Sequence, residues 1–314
     1  MKIHQGYNNL KFHEPVVTIG IFDGVHRGHR VLIDTLTRRA EEKGGESVVI
    51  TFDPHPRLVV AREQGSLAFL SDIGEKIRLL QEAGVDHLIV VNFTPAFRRM
   101  SACDFVEKVL TARIGTGYLV MGHDHHFGYR AKGNYETVNE CARDLGFVVE
   151  RVTGLKSGKG FVSSSLIREA LLKGDLNNAN KWLGYSYQLR GKVVAGKKLG
   201  RKLGYPTANL RPVYRYKLIP ANGVYAVETV VRGDIKPGML SIGSNPTVNT
   251  AEGKRHIEVN IFDFDEDIYG EEIEVLFRYR LRDEIRFGSV EALALQMNRD
   301  RSMALKLLSA TKSV

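Results

Sequence analysis

The feature of this sequence that most restricts its fold is a change of hydrophobic period near Gly184. Ahead of it, short β-rich runs alternate with amphipathic helical stretches. Val16–Phe22, Ser47–Phe52, His87–Asn92, Tyr118–Met121 and Phe147–Val152 read as strands, and Arg30–Lys43, Asp72–Ala83, Ala102–Ile114 and Tyr135–Leu145 as helices. Gly44–Gly45 and Gly84 stop the first two helices. A helix between successive strands carries the chain back to start a parallel neighbour, so the spacing predicts an α/β domain with a doubly wound parallel sheet.

Ser163–Lys173 and Asn177–Leu183 read as two short helices. Beyond Gly184 the pattern alternates, with β-branched and aromatic runs divided by Gly, Pro and Asn. Leu189–Ala195, Val224–Val231, Gly238–Ile242, His256–Phe262 and Glu272–Tyr279 fit strands, and Ser289–Ser309 a closing amphipathic helix. The second domain is therefore expected to be a mostly antiparallel β-barrel with a C-terminal helix, and the boundary divides the chain into 1–185 and 186–314.

A chain of 314 residues, 43% apolar and 26% charged, can bury a core in each half, which excludes disordered and collagen-like classes. Met1–Pro15 lacks the apolar core of a secretory segment, and no apolar run reaches the ~18 residues of a membrane span. Cys103 and Cys141 suggest neither a metal-ligand pair nor a disulfide framework, so the expectation is a cytoplasmic protein with no membrane partner. The net charge of +9 favours anionic partners in general. Its uneven part, Lys192 to Lys217, contains no acidic residue and is expected to face phosphate.

In Ile19-Gly20-Ile21-Phe22-Asp23-Gly24-Val25-His26-Arg27-Gly28-His29 a strand ends, glycines shape a tight loop and a helix begins. Helix openings present unpaired N–H groups and partial positive charge, which suit a polyphosphate. His26 and His29, three apart, share a helix face and can donate to phosphate oxygens. Thr51-Phe52-Asp53-Pro54-His55-Pro56 fixes a histidine between two prolines just after a strand, where open α/β sheets place ligands.

The stretch Gly20–His29 resembles the G-x-F-D-G-x-H-x-G-H form of the HxGH signature in bacterial bifunctional riboflavin kinase/FAD synthetase. The resemblance implies a Rossmann-like nucleotidyltransferase domain in which Gly20, Phe22, Asp23, Gly24, His26 and His29 bind ATP, the two histidines being catalytic. It implies flavin contacts for Asp53 and His55. Gly122-His123-Asp124-His125-His126-Phe127-Gly128 is similar to the loop that holds ATP ribose or base, with Asp124 as the binding residue. Ser163-Ser164-Ser165-Leu166-Ile167-Arg168 is similar to the S-S-T-x-I-R segment, implying ATP contacts for Ser164 and Arg168. His126 stands where the family often has Arg, and Ser165 where it usually has Thr. The histidines at 123–126 are badly spaced for a metal and lack acidic or cysteine partners.

In the second half, Gly191–Lys198 nearly completes a phosphate-binding P-loop, but Lys198 stands where Ser or Thr must reach magnesium, and no α/β unit surrounds it. Gly196-Lys197-Lys198-Leu199-Gly200-Arg201-Lys202-Leu203-Gly204-Tyr205-Pro206-Thr207-Ala208-Asn209 instead resembles the G-x-x-x-G-x-x-x-G-[FY]-P-T-A-N motif of riboflavin kinase. This implies ATP contacts for Gly196, Lys197, Gly200 and Gly204, and Mg²⁺ and phosphate contacts for Thr207 and Asn209. Glu258, alternating with His256, Asn260 and Phe262, is similar to the family's catalytic glutamate. Arg282 and Phe287 fall in a segment that the resemblance places over the isoalloxazine ring of the flavin.

The expected function is phosphorylation of riboflavin to FMN by the C-terminal domain and adenylylation of FMN to FAD by the N-terminal one, with ATP, riboflavin and FMN as small-molecule partners and any self-association weak. An alternative is an adenylyltransferase for another metabolite with a non-catalytic flavin-binding regulatory domain. A nucleic-acid role would need aromatics interleaved with the basic stretch, where only Tyr205, Tyr214 and Tyr216 occur.

Overall fold

Backbone pairing in the computed structural model falls into a parallel sheet and a closed barrel, described over residues 1–61, 67–129, 132–158, 160–196, 206–244 and 255–310. By contacts the chain divides into two compact units, Met1–Ser164 and Ser165–Val314.

In the first unit, β1 (Lys2–Gln5), β2 (Val16–Ile19), β3 (Ser47–Phe52), β4 (His87–Val91), β5 (Tyr118–Gly122) and β6 (Val148–Val152) form one sheet in the order β1-β4-β3-β2-β5-β6, every pair parallel. The helices are α1 (Arg27–Glu42), α2 (Pro56–Val60), α3 (Ile73–Glu82), α4 (Ala102–Phe105), which runs on as wider turns over Val106–Ile114, and α5 (Tyr135–Leu145). β2, β3 and β4 are buried along their whole length, which explains their unbroken apolar runs. From β2 the chain steps outward through β3 to β4 and then returns to the other side for β5 and β6. The order therefore reverses between β2 and β5, and the loops leaving these strands flank the crevice where open α/β sheets bind ligands.

β1 was not expected, because Lys-Ile-His-Gln lacks a β pattern; it holds its place as an edge strand through backbone pairing with β4. A small hairpin, β7 (Lys156–Ser157) with β8 (Gly160–Phe161), precedes the second unit. Cys103 and Cys141, read from the sequence as unpaired, are joined as a disulfide with their Cα atoms 5.7 Å apart. Their 38-residue separation hides the fact that α4 and α5 lie against each other.

The second unit takes in α6 (Ser164–Lys173, from its second residue) and α7 (Leu176–Leu183). A closed barrel of β9 (Gln188–Val194), β10 (Ala208–Pro212), β11 (Gly223–Val231), β12 (Asp234–Ser244), β13 (Arg255–Ile261) and β14 (Glu272–Arg282) follows, with α8 (Val290–Ala310). The barrel order is β10-β13-β12-β11-β14-β9 and every pair is antiparallel. Register puts Leu210 opposite Val193, Val259 opposite Leu240 and Leu240 opposite Tyr225, so these buried side chains share the filled interior. The other face meets α8, where Ala226, Met239 and Phe262 pack on Ala304 and Leu308. β10 was missed because the Pro206-Thr207-Ala208-Asn209 run, whose last two residues begin it, reads as a turn. Lys217, expected to face phosphate, is buried with its ammonium 4.8 Å from the centre of the Tyr187 ring. The long apolar stem lets it pack in the core.

Candidate active sites

The loop after β2 is held from three directions. Gly20 N donates to Ile50 O at 3.0 Å. The buried Asp23 carboxylate accepts from the amides of Leu70 (2.8 Å) and Ser71 (3.1 Å). Gly24 N donates to Ser71 Oγ at 2.8 Å, and Ser164 Oγ to Asp23 O at 2.9 Å. Asp23 and Ser164, read as ATP contacts, thus brace the loop. Phe22 and Val25 have φ of 50° and 34°, a left-handed geometry uncommon for such side chains and found where backbone is shaped for binding.

His26 is the N-cap of α1: its Nδ1 accepts from His29 N at 3.3 Å, which places the ring proton on Nε2. The His26 and His29 rings stack with centroids 3.6 Å apart, and Phe22 meets His29 edge-on at 5.2 Å. Gly28 is needed between them, since a Cβ there would stand 2.9 Å from Val162 O. Burial, then His26, Lys76 and His125, push the His29 pKa well below 6.5, so its ring is neutral at pH 7. His29 Nδ1 is buried without a partner.

At the end of β3, Asp53 and a cis Asp53–Pro54 bond lead to His55. His55 caps α2 by accepting at Nδ1 from Arg57 N at 3.1 Å, and its ring stacks on Phe69 at 3.9 Å. After β5, Asp124 is exposed, while His125 carries a buried Nε2 without a partner and a pKa lowered by burial to about 4. Sequence reading missed two groups that bear electrostatically on His29: His125, quoted there only as part of a motif, and Lys76, a buried lysine on α3. The apolar face of α3 hides Lys76, because a lysine in an amphipathic helix is ordinarily exposed.

On the barrel, Asn209 of β10 is in register with Glu258 of β13, and Thr207 Oγ1 donates to Glu258 Oε2 at 3.3 Å. Asn260 Nδ2 donates to Pro206 O at 2.7 Å, pinning the turn in front of Thr207. Gly196 leaves room for Asn209, whose Nδ2 would lie 1.9 Å from a Cβ there. A cavity of about 160 Å³ opens at Thr207, lined among others by Gly196, Val259, Phe264 and Asp267 but not by Asn209 or Glu258. Glu258 shares the outer face of β13 with Asn260 and Phe262, whereas Ile257, Val259 and Ile261 are buried on the inner face.

Arg282 is gripped by Asp300 of α8, to which Nε and Nη2 donate at 3.0 and 2.7 Å, and its guanidinium lies 5.8 Å from the centre of the Phe287 ring. Arg168, on α6 in the second unit, donates from Nη2 to Ser165 Oγ at 3.0 Å. Lys197, Gly200 and Gly204 lie outside the described residues. Among the described residues there is no cluster of three or more His, Cys, Asp or Glu arranged for a metal, and no helix long and apolar enough to cross a membrane.

A parallel sheet with a histidine-bearing helix opening at its switch point, followed by a barrel that sets hydroxyl, amide and carboxylate side by side, defines a two-part transferase of phosphate groups. The family model described as FAD synthetase matches residues 9–166, and the one described as riboflavin kinase matches residues 183–308. A bifunctional riboflavin kinase/FMN adenylyltransferase of Pseudomonas fluorescens is 35% identical over 309 residues, covering 98% of each chain. The protein of that description from Listeria monocytogenes is 38% identical over 285 residues, covering 91% of this chain and 90% of its own. A solved structure from Streptococcus pneumoniae, described as a macrolide-efflux protein, superposes with a TM-score of 0.87 at 31% identity, covering 97% of this chain and 99% of that one. The chain belongs to the bacterial bifunctional riboflavin kinase/FMN adenylyltransferase family. It carries both enzymatic activities, riboflavin kinase and FAD synthetase, in the order N-terminal adenylyl transfer and C-terminal phosphorylation, so the alternative of a non-catalytic second domain is set aside.

Proposed function

We propose that the two activities use separate residues, with adenylyl transfer assigned to 1–185 and riboflavin phosphorylation to 186–314. The observation that carries this division is the His26–His29 pair at the opening of α1, since a helix mouth beside two ring donors suits a polyphosphate and nothing in the barrel duplicates it among the described residues. In adenylyl transfer, an FMN phosphate oxygen bonds to the α-phosphorus of ATP as the bond from that phosphorus to the bridging oxygen breaks and pyrophosphate leaves. The nucleophile is already an anion and needs no base. His26 Nε2 and the α1 amides donate to the developing charge, and His29 beside them adds a second ring. Asp53 and His55, at the next strand end, face the flavin phosphate, and Asp124 the ribose or base.

In phosphorylation, Glu258 takes the proton of the riboflavin 5′-hydroxyl, whose oxygen bonds to the γ-phosphorus as ADP leaves. Thr207 and Asn209, beside Glu258, offer the hard oxygen donors that Mg²⁺ takes, and would hold the ion that accompanies ATP. When bound, that ion neutralises phosphate charge. The test supplies riboflavin or FMN separately with ATP and separates products by chromatography with flavin fluorescence. His29→Ala should stop FAD formation alone and Glu258→Ala FMN formation alone; equal loss of both reactions in either variant overturns the division.

A further inference from the structure

The Lys76 side chain is 5% exposed, and its Nζ donates to the buried Thr51 Oγ1 at 3.2 Å. Buried ammonium groups in proteins are almost always paired with a counter-charge. Here none forms an ion pair with Nζ among the described residues, although three carboxylates are near enough to act on it. Each has another occupation: Asp23 accepts the Leu70 and Ser71 amides, Asp72 caps α3 through Glu75 N, and Asp53 is exposed. Thr51 Oγ1 donates in turn to Ile21 O at 3.2 Å, so two hydrogen bonds join the ammonium to the loop that carries His26.

We propose that the counter-ion of Lys76 is a substrate phosphate, and that this lysine is a phosphate-binding residue of adenylyl transfer. The inference rests on the reading above that the strand ends of β2 and β3 form the transfer site. Its chemistry follows from the reaction, which must press one phosphate anion against another; a cation between the β2 and β3 loops offsets that repulsion. The groups facing it are Asp23 from the β2 loop, Asp53 from the β3 loop, Asp72 from the head of α3 and His29 from α1. Burial pulls the ammonium down to about 8 against the opposing pull of the three acids. An arriving phosphate would restore its proton.

The test uses the full-length chain. Lys76→Met should lower kcat/KM for FAD formation about 100-fold while leaving riboflavin phosphorylation unchanged. Because it removes a buried uncompensated charge, it should also raise the apparent Tm at pH 7 by about 2 °C or more. Lys76→Arg should keep part of the activity and remove the alkaline limb near pH 8. Calorimetry with FMN and with pyrophosphate, in buffers of different ionisation heat, should show proton uptake at pH 8 by the native chain that is absent from Lys76→Arg. The ligand that shows it identifies which phosphate is held. Activity of Lys76→Met within about two-fold of native overturns the proposal. So does equal proton uptake in native chain and Lys76→Arg, a result that does not depend on the Met variant folding. His29→Ala separates the two levels: if it leaves FAD formation intact the site reading fails, and if it alone abolishes the reaction only the role of Lys76 fails.

Discussion

His26 Nδ1 accepts the backbone N–H of His29 at 3.3 Å while the two rings stack at 3.6 Å, so one residue both starts helix α1 and fixes its neighbour's ring. Replacing His29 with Ala removes a ring and leaves the cap. FAD formation from FMN and ATP is expected to fall about 100-fold or more, and FMN formation from riboflavin to persist, as measured by separated flavin products.

Glu258→Gln keeps the shape of the side chain beside Thr207 and removes its basicity. Riboflavin phosphorylation should drop by about 10²–10⁴-fold, with FMN adenylylation intact in the same preparation. Comparable loss in both assays would count against Glu258 as the base.

Gly196→Ala would drive a methyl group into Asn209 Nδ2. The displaced amide should cost riboflavin kinase activity on the order of 10²-fold, since misplacement by about 1 Å is enough for a loss of that size. Steady-state kinetics against ATP and magnesium would report it.

Asp300 is buried, and Arg282 donates to it at 2.7 Å from Nη2, with Gln296 Nε2 adding a bond at 2.8 Å. Asp300→Ala strands the guanidinium and is expected to destabilise the barrel unit by about 3–5 kcal/mol in urea unfolding. A change below about 1 kcal/mol would show that the guanidinium is free to reach water.

His125 is held neutral by burial, with a pKa of about 4 against 6.5 for a free histidine. The unfolded chain therefore binds more protons than the folded one between these values. Stability from this residue is full above about pH 6.5 and is lost as pH falls towards 4. His125→Phe should flatten that part of the Tm–pH curve.

Strand and helix periods made the two folds readable, because burial on both faces leaves β2, β3 and β4 continuously apolar while β11 to β14 run as long β-rich strands. The glycine and histidine spacing after β2 made the helix opening at His26 readable, since helix openings need local sequence alone. Edge strand β1 escaped because its pairing with β4 depends on backbone across 80 or so residues of chain, not on its own side chains.

Local order along the chain thus determined the parallel sheet, the barrel and the residues that open α1 or follow β9. Only the folded arrangement decided that Cys103 meets Cys141, that Lys217 is buried against Tyr187, that Arg282 is taken by Asp300, and that Lys76 is enclosed behind the loop after β2. Each of these is a contact between segments distant in sequence, and no propensity or spacing encodes which side chain lies opposite which. The same burial that conceals Lys76 from a reading of its helix leaves its ammonium, hydrogen-bonded to Thr51, without an ion-pair partner among the described residues.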